Sequence, residues 1–170
     1  INPETGRIQQ VTAQVNTSFQ FPIRNIPTRI SSDYGPRTSP YKGIHKGIDI
    51  ARGPSVSESA FRAAPIYSIG VGTVFAINKN SPSAGMLVII RHDNGYMSEY
   101  MHMSSIKVKR GQRVGPNTVI GTPGNTGRSF GVHLHLGIFK GSTRLHYISR
   151  KNRFVNPWTV LNKHMQMANR

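Results

Sequence analysis

At 170 residues, 36% of them hydrophobic, the chain has the length of one ordinary domain and enough apolar material to bury a core. No apolar run approaches the ~20 residues that cross a bilayer as a helix, and the absence of cysteine excludes disulfides and thiolate metal sites. Twenty-two Lys and Arg against 6 acids give a formal net charge of +16, so long-range, salt-screened attraction draws the chain towards polyanions: nucleic acid, anionic lipid or anionic wall polymer.

The chain opens on Ile1 rather than Met, as a processed product or a piece of something larger would. Residues 1–30 are polar, rich in Gln, Asn and Thr, and broken by Pro3, Pro22 and Pro27; they read as a linker or extended arm with one short helix after Asn2-Pro3. A single domain is expected over 31–170. Short β-branched runs come next at 67–78, 85–92, 95–103, 117–123 and 132–140, with turn signals at 92–95, 110–117 and 123–127 between them. Such spacing predicts a mainly β, antiparallel domain. One C-terminal helix is expected over 156–167, with Asn156 as N-cap and Pro157 in its first turn.

Three stretches carry chemistry. In "HKGID", His45 and Asp49 lie four apart, and Gly47 with the β-branched Ile48 and Ile50 suggests a loop entering a strand; both residue types suit a zinc ion, although the pattern alone is weak. In "YMHM", strand alternation sets Tyr96, Ser98, Tyr100 and His102 on one face and Met97, Glu99, Met101 and Met103 on the other. A lone strand histidine is more often a structural hydrogen-bonder than a catalyst. In "GNTGRSFGVHLHLGIFK", His133 and His135 project together while Leu134, Leu136 and Ile138 face away, which suggests a metal site, a catalytic pair, or both. With 6 acids and 7 histidines available, a metal site must be built mostly of imidazole. A hydrolytic zinc site needs three protein ligands, an open position and an acid–base partner, and these three segments supply that with little left over.

In this order, the three stretches resemble the signature segments of the lysostaphin-type zinc endopeptidases, which cut peptides of bacterial peptidoglycan. "SDYGPR" at 32–37, "VKRGQRVGPNTVIGTPGNTG" at 108–127 and "VNP" at 155–157 extend the similarity from about Ser31 to Leu161. The resemblance implies a small antiparallel β domain with a long substrate groove and the metal on its floor. It implies Zn2+ held by His45, Asp49 and His135, with His102 and His133 as the catalytic pair. It also implies peptidoglycan as partner and an extracellular or cell-envelope location; a phage virion component would suit the polar arm. No glutamate lies in a signature segment, so proton transfer falls to histidine. Two departures are expected to alter the groove: Leu136 and Gly137 stand where members often have phenylalanine and an acid, and Gly131-Val132 replaces a small residue and proline.

Two rival readings are less well supported. A catalytically silent relative that binds wall or regulates another hydrolase usually lacks a metal or catalytic position, and all five are present. A nucleic-acid binder is motivated by charge alone, but the basic residues are scattered and no helix-turn-helix, zinc-finger or aromatic RNA-binding signature occurs. His92, His146 and His164 are expected to be structural, Glu58, Asp93 and Glu99 solvated or paired, and Trp158 a packing residue. The chain is expected to act as a monomer or as part of a larger assembly.

Overall fold

β-Branched runs bounded by glycine and asparagine turns become strands, thirteen of them within residues 19–161, the part that the computed structural model describes. They are β1 (Thr28–Ser32), β2 (Gly35–Pro36), β3 (Ile44–His45), β4 (Ile48–Arg52), β5 (Ile66–Tyr67), β6 (Gly72–Ser81), β7 (Gly85–His92), β8 (Tyr96–Met103), β9 (Ser105–Ile106), β10 (Arg113–Val114), β11 (Val119–Thr122), β12 (Leu134–Lys140) and β13 (Phe154–Val155). The main sheet runs β1-β4-β12-β8-β7-β6-β10 with β13 beside β12, and a smaller sheet runs β5-β11-β9. Every pairing between these strands is antiparallel, as the sequence predicts.

Alternation sends each central strand to two different environments. Ile48 and Ile50 of β4, Val88 and Ile90 of β7, Tyr100 of β8, and Leu134, Leu136 and Ile138 of β12 fill the main core on one face. On the other face, Leu87, Ile89, Met97 and Phe139 form a smaller cluster. Each such aliphatic or aromatic side chain contributes roughly 1.5–3 kcal/mol by leaving water. Asp49 and His135 belong by alternation to the second face. Rigid, doubly packed strands therefore carry them.

The structure corrects the sequence reading at several points. The run at 67–78 is two strands, β5 and β6, separated by Gly70, against which the Phe19 ring packs so closely that a Cβ would lie 2.8 Å from it. Residues 19–23, expected in the polar arm, run through the core: Phe19, Phe21 and Ile23 are 3%, 0% and 2% exposed. Phe21 stacks on Trp158 at 6.3 Å, Gln20 donates its backbone N–H to Ile69 O at 2.7 Å, and the Arg24 guanidinium lies 4.4 Å over the Tyr67 ring. Residues 1–18, with the helix expected after Asn2-Pro3, lie outside the described residues. Asn156 caps as expected, accepting the Trp158 N–H at 3.1 Å, but it opens a short 3₁₀ turn over Pro157–Thr159, and 162–167 lie outside the described residues. Two short helices, α1 (Glu58–Arg62) and α2 (Arg144–Ile148), are capped by Ser57 and Thr143. Five residues are too few for a helical period to show in the sequence.

Candidate metal centre

Asp49 and His135 are direct partners in the β4–β12 ladder. That register alone brings Asp49 Oδ1 within 3.0 Å of His135 Nδ1. His45 enters from the short β2–β3 ribbon, where it pairs with Gly35, and its Nε2 lies 3.1 Å from both Asp49 Oδ1 and His135 Nδ1. Gly47 makes this convergence sterically feasible, since a Cβ there would sit 2.3 Å from Leu136 O and 2.8 Å from the His135 ring. The second ring nitrogen of His45 lies 2.8 Å from the Asp33 carbonyl. A carbonyl only accepts, so His45 Nδ1 carries the proton and Nε2 presents its lone pair to the centre. Trp158 does more than pack: its Nε1–H donates to Asp33 Oδ1 at 2.8 Å and anchors the loop that orients His45.

Burial would raise the Asp49 carboxyl, but the His135 and His45 rings packed against it outweigh that effect and hold the group well below the usual carboxylate range. Burial lowers the pKa of the His135 ring against the opposing pull of Asp49, keeping the imidazole neutral. Arg37 Nη2 stands 3.8 Å from Asp49 Oδ2. Two imidazoles and one carboxylate, with donor atoms 3.0–3.1 Å apart, fit a tetrahedral zinc ion. Bonds of ~2.0–2.2 Å need donor separations of about 3.3–3.5 Å, a few tenths more than is seen. Three such groups would leave a fourth position of a bound ion open, as in catalytic rather than structural zinc sites.

His102 reaches the same place through an irregularity. Between Met86↔Met103 and Val88↔Tyr100 the ladder accommodates one extra residue on β8, and His102 adopts the left-handed region at φ 63°. Tyr100 and Met103 both face the main core, while His102 is turned towards His133, with ring centroids 4.8 Å apart, and towards His135, at 6.3 Å. Thr126, from the glycine-threonine loop, holds this kink. Its carbonyl accepts His102 Nδ1–H at 2.7 Å, and its hydroxyl donates to Met103 O at 2.7 Å and accepts Met86 N–H at 3.0 Å. His133 Nδ1 donates to Gly131 O at 2.8 Å, and its Nε2 is 3.8 Å from Asp49 Oδ1. Each histidine is thus tied to backbone through Nδ1 and leaves Nε2 for chemistry. Burial lowers the pKa of His102, favouring the form with a free lone pair.

Asp49, His102, His133 and His135 line a cavity of about 970 Å³, walled by Arg29, Arg37, Lys42 and Arg128 and by Phe130, which is 87% exposed. These four are sequence-predicted residues, and the fifth, His45, joins them from behind through its contacts with Asp49 and His135. His92 is buried and structural, donating Nδ1–H to Val71 O at 3.1 Å with Nε2 2.7 Å from Ser98 Oγ. His146 Nδ1 accepts Ser142 N–H at 3.0 Å. His164 lies outside the described residues. Glu58 pairs with Arg62 and Asp93 with Arg113 on the surface. Glu99 was missed as a site residue: it is 2% exposed, beside His135, and burial pushes its pKa up to about 7 against the pull of Arg150.

The model of peptidase family M23 matches residues 43–157. Over 111 residues the chain is 40% identical to the peptidoglycan DD-endopeptidase ShyA of Vibrio cholerae, covering 63% of this chain and 24% of that protein. A zinc-containing peptidase from Vibrio cholerae superposes with a TM-score of 0.65 at 31% identity, covering 82% of this chain and 39% of that one. The catalytic domain of a mutant of the prophage-encoded M23 protein EnpA from Enterococcus faecalis superposes with a TM-score of 0.62 at 30% identity, covering 82% and 95%. The chain spans about a quarter of the length of curated relatives that it matches.

Proposed function

The chain belongs to peptidase family M23, and on that premise we propose that it hydrolyses peptide cross-links of bacterial peptidoglycan, with Zn2+ held by His45, Asp49 and His135 and with His102 and His133 as the catalytic pair. The observation that carries the reading is the convergence of five side chains from three segments, four of them on one groove floor and His45 just behind it, with the donor atoms of His45, Asp49 and His135 3.0–3.1 Å apart. When bound there, zinc supplies Lewis-acid polarisation of the scissile carbonyl and lowers the pKa of water from ~16 towards ~7. His102, kept neutral by burial and with Nε2 free, accepts the proton of the attacking water. His133, whose Nε2 stands near the Asp49 carboxylate, acts in the doubly protonated form: it donates Nε2–H to the developing oxyanion and then gives up that proton to the leaving amine, keeping Nδ1–H on Gly131 O.

The substrate is a cross-link between stem peptides rather than a glycine bridge. Support comes from the DD-endopeptidase activity named for ShyA and from Arg29, Arg37, Lys42 and Arg128 on the groove walls, which complement stem-peptide carboxylates that a glycine bridge lacks. The cell envelope or the extracellular space is the corresponding location. Isolated wall sacculi incubated with the zinc-loaded chain and analysed by mass spectrometry test the reading. Cross-linked dimers should fall to monomers, chelator should stop the reaction, and added zinc should restore it. Intact cross-links after incubation with folded, zinc-loaded protein would overturn it.

A further inference from the structure

Glu99 is a buried carboxylate with no part in the proposed mechanism. It stands on β8 opposite Gly137 of β12, on the face that carries His135. Its Oε1 is 4.0 Å from His135 Nε2 and its Oε2 is 3.8 Å from Arg150 Nε. Oε2 has no hydrogen-bond partner among the described residues, although only 2% of the residue is exposed. A buried carboxylate without hydrogen bonds needs a reason. The space it occupies exists only because residue 137 is glycine: a Cβ there would lie 2.8 Å from both Glu99 Cγ and Oε1.

The chemistry of His135 supplies the reason. This ring turns Nδ1 towards Asp49 and His45. A neutral imidazole that offers a lone pair at Nδ1 must carry its proton on Nε2. That N–H is turned to the opposite edge of the ring, where Glu99 is the acceptor the structure provides. We propose that Glu99 is a positioning residue for the metal centre: its carboxylate draws the Nε2–H of His135, fixing the tautomer and ring angle that present Nδ1 to zinc, and Gly137 is the gap in β12 through which it reaches. An approach of about 1 Å converts the observed separation into a charge-assisted hydrogen bond. Arg150 neutralises the other oxygen. The inference rests on the reading of His135 as a zinc ligand.

Competition with a chromophoric chelator, using the full chain and zinc alone, tests it. Glu99→Leu removes the acceptor and should weaken zinc ~10- to 100-fold, the scale on which outer partners of ligating histidines act. Glu99→Gln keeps shape and one acceptor oxygen and should lose less. Gly137→Ala leaves Glu99 in the sequence but expels its carboxylate, and should weaken zinc as Glu99→Leu does. Nitrogen-15 shifts of the metal-free protein should show His135 protonated at Nε2 in the wild type and a mixture of tautomers in Glu99→Leu and Gly137→Ala. Wild-type zinc affinity and an unchanged tautomer in folded Glu99→Leu or Gly137→Ala would overturn the proposal and leave Glu99 as the buried partner of Arg150. If His135→Ala binds zinc as the wild type does, the ligand assignment fails instead, which is a separable result.

Discussion

The Asp49 carboxylate and the His135 imidazole face each other as a registered cross-strand pair, with Oδ1 3.0 Å from Nδ1. Two of the three proposed ligands are thereby held by a backbone ladder, and only His45 depends on a loop.

Asp49→Ala and His135→Ala should therefore destroy the site without disturbing the fold. Zinc measured by elemental analysis after dialysis should fall from one per chain to a trace, a larger effect than the ~100-fold ceiling of outer-partner changes. Stoichiometric zinc and full activity in His135→Ala would show that the ligand assignment is wrong.

Gly47→Ala should abolish zinc binding although residue 47 ligates nothing. Its Cβ would stand 2.3 Å from Leu136 O and 2.8 Å from the His135 ring, so either the ring or β4 must move. Denaturant unfolding of the metal-free protein should register a loss of roughly 1–3 kcal/mol from this overpacking. Normal zinc content in the variant would contradict the packing argument.

His102→Ala and His133→Ala should separate binding from chemistry. Each should retain zinc and lose ~100-fold or more in cross-link cleavage, the usual scale of acid–base help. Zinc lost in His133→Ala but kept in His135→Ala would mean that the two roles are exchanged.

Stability should fall on acidification through a window set by His92. Burial lowers its pKa from 6.5 in the unfolded chain to about 4 in the fold. Between those values the unfolded state binds the extra proton, so stability is full above about pH 6.5 and declines as pH drops towards 4, by at most about 3 kcal/mol from this group. Urea unfolding from pH 7 to 4 measures the slope, and His92→Gln should flatten it. An equal slope in the variant would locate the acid sensitivity elsewhere.

Salt should distinguish wall from soluble substrate. If the +16 charge concentrates the chain on anionic wall, wall clearing should drop steeply as the Debye length shrinks from ~10 Å at 0.1 M to ~3 Å at 1 M. Cleavage of a short soluble cross-linked peptide should change far less, because its contacts at the centre are short-range. Equal sensitivity on both substrates would remove the steering role of the charge.

What the sequence determined by itself is what a local period can encode. The side-by-side projection of His133 and His135, the opposite facing of Leu134, Leu136 and Ile138, and the antiparallel strands at 85–92 and 95–103 arise from alternation over a few residues, and the ladders keep it. His102 is the counterexample. Strict alternation sends it with Tyr100 into the core, and only the extra residue in the β7–β8 ladder, clasped by Thr126 from 24 residues further on, turns it to the metal face. Phe19, Phe21 and Ile23 escaped notice because a polar average over thirty residues conceals three alternating apolar side chains whose partners, such as Trp158, are remote. The departure at Gly137 was visible as a missing acid, whereas the carboxylate that fills the gap comes from the neighbouring strand. Only tertiary structure decides such matters, because a bulge, a shared cavity and a cross-strand neighbour depend on packing between segments far apart in the chain.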